Sequence, residues 1–197
     1  ARSFNFYSTG RSRPEDGVVS LALGLGKTIV DGGRCWTYSP AYAKIAPPFG
    51  SAEELLKETQ TEFWAVNMGK PPAYDPIRET EYLVKGTLPD AELDETLWHS
   101  ASTYDAISRK ISIGTGIKGP RVITFAPLLV SNEIPVNAII RSLLSQCAQA
   151  VGSPVEIEFA MTFNPNRFGF LQVRPMVVSS EQVDIHPDEM KKVQALL

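Results

Sequence analysis

The chain has 197 residues, 43% of them hydrophobic, and a formal net charge of −3 at pH 7. This length corresponds to a single domain of about 150 residues or somewhat more, and the composition argues against disorder, collagen and coiled coil. The slightly acidic balance and the absence of any window near 18 apolar residues lead us to expect no nucleic-acid partner and no membrane span. The two cysteines, Cys35 and Cys147, predict free thiols in a cytoplasmic protein.

Two elements are predicted in the first half of the chain. The apolar run Val18–Leu23 predicts a buried strand that ends in a glycine turn at Gly24. Ser51 and Glu54 fit a capping box, in which each side chain bonds the backbone amide of the other residue. Apolar residues at helical spacing follow, and they predict a helix over 52–67.

The second half shows the clearer pattern. Arg121–Phe125 predicts a strand, and apolar residues at helical spacing predict a helix over Pro135–Val151 that Gly152 ends in a left-handed conformation. Val155–Phe163 and Arg167–Arg174 both alternate with period two around a short Asn-Pro-Asn turn. The two strands therefore form a predicted β-hairpin, with the preceding helix as its cover.

The register of this hairpin places four polar residues on one face. In the simplest pairing Phe163 lies opposite Arg167, and directly opposed side chains are about 5 Å apart at Cβ. Further along the ladder this register gives the pairs Glu156 with Arg174 and Glu158 with Gln172. Phe168 and Phe170 would continue that face toward the turn. The opposite, core-facing side would carry the apolar residues Val155, Ile157, Phe159, Met161, Phe163, Leu171 and Val173.

The four polar residues have the chemistry of a metal–phosphate site. Two carboxylates on one strand face can hold Mg²⁺, which is often bound by one or two carboxylates together with substrate phosphates. A glutamine amide can donate to a phosphate oxygen, and an arginine can grip one bidentately. The alternative is an ordinary cross-strand ion pair between Glu156 and Arg174 on a solvated sheet face.

The same residues carry a family resemblance. Pro154–Ala160 and Leu171–Met176 resemble the end of the nucleotide-binding region of the phosphoenolpyruvate synthase and pyruvate phosphate dikinase family. The signature there is an acid-hydrophobe-Glu-aromatic strand followed by a Gln-x-Arg strand. Glu15–Ser20, followed by Gly24–Gly26 and Val30–Gly32, is similar to a glycine-rich segment of that family.

The resemblance implies an ATP-grasp fold, in which two α+β lobes hold ATP between them. This chain would be the C-terminal lobe, an α+β unit with mainly antiparallel sheet and helices packed on one face. The family passes a phosphoryl group from ATP to a histidine on a separate domain, and from there to pyruvate. By resemblance Glu158 is the main Mg²⁺ ligand, Glu156 an assisting acid, and Gln172 and Arg174 contact the terminal phosphates, so ATP and Mg²⁺ are the implied cofactors.

The resemblance also implies that residues 1–197 are one domain of a larger multidomain protein, with 178–197 as a linker. Its partners would be the first ATP-grasp lobe and the phosphohistidine domain of the same polypeptide, and the isolated chain would be inactive. His99 and His186 lack the sequence context of the phosphorylated histidine and are predicted to be ordinary loop or surface residues. Two alternatives are a non-catalytic structural or regulatory module and a dikinase that acts on a different acceptor.

Lys27 is a departure from the family pattern. Many members carry an acidic residue after the Gly-x-Gly pair, and Gly24–Thr28 lacks the spacing of a phosphate-binding P-loop. The role of Lys27 is therefore left open. The tryptophans are predicted to be core or loop anchors rather than platforms for base stacking: Trp36, Trp64 and Trp98.

Overall fold

The computed structural model describes residues 12–46, 49–69, 75–132 and 134–176. In these ranges the chain is an α+β protein in which all strand pairs are antiparallel. The helices are α1 (Lys27–Val30), α2 (Ala52–Glu58), α3 (Leu88–Leu93), α4 (Ala126–Leu129) and α5 (Val136–Val151). The strands are β1 (Val19–Leu21), β2 (Trp36–Tyr38), β3 (Glu62–Val66), β4 (Leu83–Thr87), β5 (Ala101–Asp105), β6 (Lys110–Ile113), β7 (Arg121–Ile123), β8 (Val155–Thr162) and β9 (Arg167–Pro175). Short 3₁₀ segments occur at Pro14–Asp16, Pro40–Tyr42 and Pro76–Tyr82.

The strands of the described ranges form four small sheets. Three are two-stranded, β1–β2, β3–β4 and β8–β9, and the fourth has the order β6–β5–β7. The α+β class and the antiparallel pairing agree with the prediction. The strands, however, form four separate small sheets rather than one continuous sheet. Among the described residues, no helix combines the length and the apolar character needed to cross a membrane.

One apolar cluster joins the first sheet to the central sheet and to the later helices. Strand β5 is its most deeply buried strand, with Ala101, Ser102 and Thr103 fully enclosed. The Ser102 hydroxyl is satisfied by a 2.6 Å hydrogen bond with the Thr124 hydroxyl, as burial of a polar group requires. The other large buried members include Val19, Leu21, Trp36, Tyr38, Leu97, Val122, Leu128, Val136 and Ile140.

Helix α2 begins as its sequence predicts. The Ser51 hydroxyl accepts a hydrogen bond from the Glu54 amide at 3.1 Å. The Glu54 carboxylate reaches back to the Gly50 amide at 2.6 Å rather than to the amide of Ser51. The cap therefore satisfies two amides near the helix start, with the second bond moved one residue upstream.

The predicted helix over 52–67 is wrong in its second half, because the chain leaves the helix after Glu58 and enters β3. Thr59 and Gln60 are both 4% exposed and use their side chains in tertiary hydrogen bonds. Thr59 Oγ1 accepts from the Ile123 amide at 2.7 Å. Contacts of this kind outweigh helical spacing and hold the chain extended at this point.

Helix α5 and the hairpin β8–β9 are present as predicted, although the register of the hairpin differs near its turn. The helix follows Pro135, packs on both hairpin strands and ends at Gly152, whose φ is +74°. Val136 and Ile140 are its buried residues. The predicted strands Val18–Leu23 and Arg121–Phe125 are also present, shortened to β1 and β7.

The hairpin register is as predicted at its open end and shifted near the turn. Glu156 pairs with Arg174 and Glu158 with Gln172, but a β-bulge follows Glu158. Beyond the bulge Thr162, not Phe163, pairs with Arg167, and the turn takes four residues, 163–166. Leu171 is the extra residue in β9.

The β-bulge changes the face on which the side chains of β9 lie near the turn, so the predicted faces are wrong there. Phe168 and Phe170 lie opposite Met161 and Phe159, and the rings of Phe168 and Phe159 stack at 5.1 Å. Both phenylalanines thus lie on the core side of the hairpin, not on the side of Glu156 and Glu158. Two residues predicted for the core are exposed instead, Leu171 at 65% and Val173 at 38%. The extra residue reverses the alternation from Leu171 toward the turn, whereas Val173 keeps its predicted pairing with Ile157 and is exposed at the open end.

Replacing the buried Thr59 hydroxyl should lower the stability of the fold. Thr59→Val keeps the shape of the side chain but leaves the Ile123 amide without its acceptor, which costs about 1–3 kcal/mol in the free energy of unfolding. Thr61→Val, two residues away at an exposed position, is the matched control and should change stability by less than about 0.5 kcal/mol. Denaturant unfolding of both variants measures the difference. Equal effects would contradict this account of where α2 ends.

Candidate functional site

The outer face of the hairpin brings together the four residues that the sequence singles out. Arg174 meets Glu156 through two contacts of 3.2 Å, from Nε to Oε2 and from Nη2 to Oε1. Its Nη2 also lies 3.8 Å from Glu158 Oε1. Gln172 lies exposed on the same face, directly opposite Glu158. The arrangement is an arginine shared by two carboxylates, with an amide beside it.

The ion pairs of Arg174 partly neutralise the negative charge of this face. The side chains of Glu156, Glu158 and Arg174 are 21%, 42% and 53% exposed, so water screens their interaction only in part. The hydrogen bond to Glu156, followed by the charges of Glu156 and Glu158, raises the pKa of Arg174 above its usual range. The guanidinium therefore stays charged, and the three side chains together carry one net negative charge.

The donor set fits Mg²⁺ only if a ligand completes it. Among the described residues there is no group of three or more His, Cys, Asp or Glu side chains arranged to hold a metal ion. Two carboxylates suit Mg²⁺ because this ion is usually held by one or two carboxylates together with waters and phosphate oxygens. The hairpin face thus fits a metal that arrives with a phosphate, rather than a closed protein site.

A cavity of about 730 Å³ borders the hairpin. One wall is the glycine segment, with Leu23, Gly24 and Gly26, and another is the hairpin, with Glu158, Phe159 and Leu171. Its volume is typical of small-molecule sites. Of the four polar residues, Glu158 is the one that lines the cavity in the described part of the chain, while Glu156, Gln172 and Arg174 lie outside its lining.

Side-chain hydrogen bonds from Gln60 hold the glycine segment in place. Gln60 Oε1 accepts from the Leu23 amide and its Nε2 donates to the Leu23 carbonyl, both at 2.9 Å. Two residues further, the Leu25 amide donates to the Trp64 carbonyl at 2.9 Å. These bonds bring the chain so close to β3 that residue 24 must be a glycine: its φ is +81° and a Cβ there would lie 2.5 Å from the Trp64 carbonyl oxygen.

His99 is a cavity residue that the sequence reasoning missed. Its ring stacks on Phe163 with centroids 4.1 Å apart, and it contributes to the cavity lining. Its Nδ1 is buried and has no hydrogen-bond partner among the described residues. The prediction of an ordinary loop or surface residue is therefore wrong in part, since His99 lies in a loop but faces inward. No local pattern marks it, because the contact with Phe163 is purely tertiary.

Lys27 lies away from the cavity lining. Its ammonium pairs with Asp31 at 2.8 Å and lies 5.6 Å from the ring centre of Trp64, where Lys85 approaches at 5.2 Å. The lysine is thus engaged with its own helix and a neighbouring ring. Trp36 is buried in the core as predicted, whereas Trp98 is 64% exposed and is no core anchor.

The remaining predicted residues have simple environments or are not described. Cys35 and Cys147 are free, half-buried thiols, as predicted. His186 and the predicted linker 178–197 lie outside the described residues.

Comparisons of the chain with protein-family models, with curated proteins and with solved structures give no match.

A pair of glycine substitutions tests how the glycine wall of the cavity is built. Gly24→Ala should lower the free energy of unfolding by about 1–3 kcal/mol, because the new Cβ meets the Trp64 carbonyl at a positive φ. Gly26 has a φ of −59° and open space around it, so Gly26→Ala should change stability by less than about 0.5 kcal/mol. Thermal unfolding compares the two variants, and a tolerated Gly24→Ala would refute the close approach to β3.

The unpartnered nitrogen of His99 predicts an unusual effect on stability. His99→Phe keeps a ring stacked on Phe163 and removes the buried polar atom, so the fold should be as stable as before or more stable by about 1 kcal/mol. His99→Ala, which removes the stacked ring, should destabilise the protein. Chemical denaturation measures both, and a marked loss in His99→Phe would mean that Nδ1 has a partner in the folded protein.

Proposed function

We propose that the outer face of the β8–β9 hairpin and the adjacent cavity form one wall of a Mg-ATP site. The chain would be the C-terminal ATP-grasp lobe of a phosphoenolpyruvate synthase-like phosphotransferase. The observation that carries the proposal is the pairing of Glu156 with Arg174 and of Glu158 with Gln172 on one face. Glu158 and the glycine segment both line the cavity, so the two motif regions border a single space.

Each residue has a role in this proposal. Glu158 and Glu156 hold the metal, which supplies positive charge to neutralise the phosphates. Gln172 donates its amide N–H to a terminal phosphate oxygen, and Arg174 binds one bidentately. Phosphoryl transfer depends mainly on such positioning and charge neutralisation, so these four side chains are well suited to it.

The cavity suits the rest of the nucleotide. Apolar side chains such as Leu23, Phe159 and Leu171 border it, and its size allows a nucleoside beside the phosphates. The exposure of Leu171, which the bulge in β9 produces, gives that side chain a place in the cavity wall. A residue that sequence alternation assigns to the core is thereby available to a ligand.

The proposed reaction requires groups that the hairpin face does not supply. The phosphoryl group would pass to a histidine of another domain and then to pyruvate, and a first ATP-grasp lobe would close the cleft. These are proposed partners within the same polypeptide. The 197-residue chain alone should therefore show little or no turnover.

One observation favours a second candidate, a non-catalytic structural or regulatory module. The two 3.2 Å contacts between Arg174 and Glu156 satisfy both side chains without any ligand, as in an ordinary exposed ion pair. The two candidates differ in one respect that can be measured. A module of this kind would not bind Mg-ATP through Glu158.

Nucleotide binding by the full polypeptide that contains this chain tests the proposal. Glu158→Gln should weaken Mg-ATP binding by about tenfold or more, because it removes a negative charge from a divalent cation, and should suppress phosphohistidine formation. Glu62→Gln is the matched control, because Glu62 is an exposed carboxylate in a cross-strand pair with Lys85 at 3.2 Å. Titration calorimetry and ³²P transfer measure the two effects. Unchanged binding and transfer in Glu158→Gln would refute the metal-ligand role and favour the second candidate.

A further inference from the structure

The contacts of Arg174 show that the two carboxylates already share a cation. One guanidinium nitrogen, Nη2, lies 3.2 Å from Glu156 and 3.8 Å from Glu158. In the described ranges, Arg174 is the one basic residue that forms an ion pair with either carboxylate. The positive charge of the guanidinium therefore lies where the charge of a metal ion bound by both carboxylates would lie.

We propose that Arg174 is a displaceable counter-cation that makes the site select a metal–polyphosphate complex over the bare metal ion. This inference rests on the proposed function and assigns to Arg174 a second role besides phosphate contact. With no ligand present, the guanidinium neutralises the carboxylate pair. When the complex binds, Glu156 and Glu158 would hold the metal, and the guanidinium of Arg174 would move to the phosphate.

The selectivity follows from charge. Two carboxylates and one guanidinium carry a net charge of −1, so a bare divalent cation meets a half-neutralised site and a nearby positive group. To bind, the ion must displace Arg174 into water or tolerate its repulsion. A metal–polyphosphate complex brings phosphate oxygens of its own. The guanidinium then exchanges one bidentate oxygen acceptor for another, and no charge is left without a partner.

The surroundings of Arg174 allow this movement. Its side chain is 53% exposed, and its described partners are Glu156 and Glu158, with no buried contact holding the guanidinium. Ion pairs at such exposed positions are weak and exchange readily with solvent. By contrast, Arg121 is 13% exposed and contacts Glu92, Thr103 and the Ile117 carbonyl, so it is held in place.

The test compares bare metal with metal–nucleotide binding in the full polypeptide. Electron paramagnetic resonance measures free Mn²⁺ without nucleotide, and calorimetry measures Mg-ATP binding. Arg174→Gln should bind Mn²⁺ about tenfold more tightly than the unmodified protein and bind Mg-ATP more weakly. Arg174→Lys keeps the positive charge but loses the bidentate fork, so its Mn²⁺ affinity should stay near that of the unmodified protein while Mg-ATP binding falls.

Arg34→Gln is the control for net charge, because Arg34 forms an exposed pair with Glu58 at 3.8 Å. It should change neither affinity. Unchanged, weaker or undetectable Mn²⁺ binding by Arg174→Gln would overturn the inference, as would an equal gain in Arg34→Gln. If the unmodified protein fails to bind Mg-ATP, the proposed function fails, and the Mn²⁺ measurements still decide whether Arg174 shields the carboxylates.

Discussion

The backbone pairing of β8 with β9 fixes where the four polar residues of the candidate site lie. At the open end of the hairpin it sets Glu156 against Arg174 and Glu158 against Gln172. A shift of one residue there would send one strand's polar set into the core. The core residues Val155 and Ile157, 1% and 2% exposed, hold this register because helix α5 covers them. The polar face is thus a consequence of how the opposite face is packed.

The second wall of the cavity has a different origin. It depends on the side-chain amide of Gln60, which accepts from the Leu23 amide and donates to the Leu23 carbonyl. These two bonds hold the glycine segment next to β3. Gly24 then permits the close approach to the Trp64 carbonyl. The hairpin and the glycine segment are more than a hundred residues apart in the sequence, yet both contribute to the lining of the same cavity.

The parts that were predictable depend on local pattern. Helix α5 and the open end of the hairpin have strong periodicity, and the pairing of the four polar residues follows from it. The bulge at Leu171 was not predictable, since one extra residue leaves the alternation of each strand intact on either side. The end of α2 and the inward position of His99 also escaped prediction. Thr59 and His99 are placed by partners far along the chain, Ile123 and Phe163, which periodicity does not reveal.

The central claim is that the hairpin face and the cavity hold the two ends of one metal–nucleotide ligand. A crystal structure of the full polypeptide with Mg²⁺ and a non-hydrolysable ATP analogue tests it most directly. The account predicts metal density between Glu156 and Glu158, terminal phosphates beside Gln172 and Arg174, and the nucleoside in the cavity next to Leu171. A nucleotide bound elsewhere, with the contacts between Arg174 and Glu156 unchanged, would contradict it.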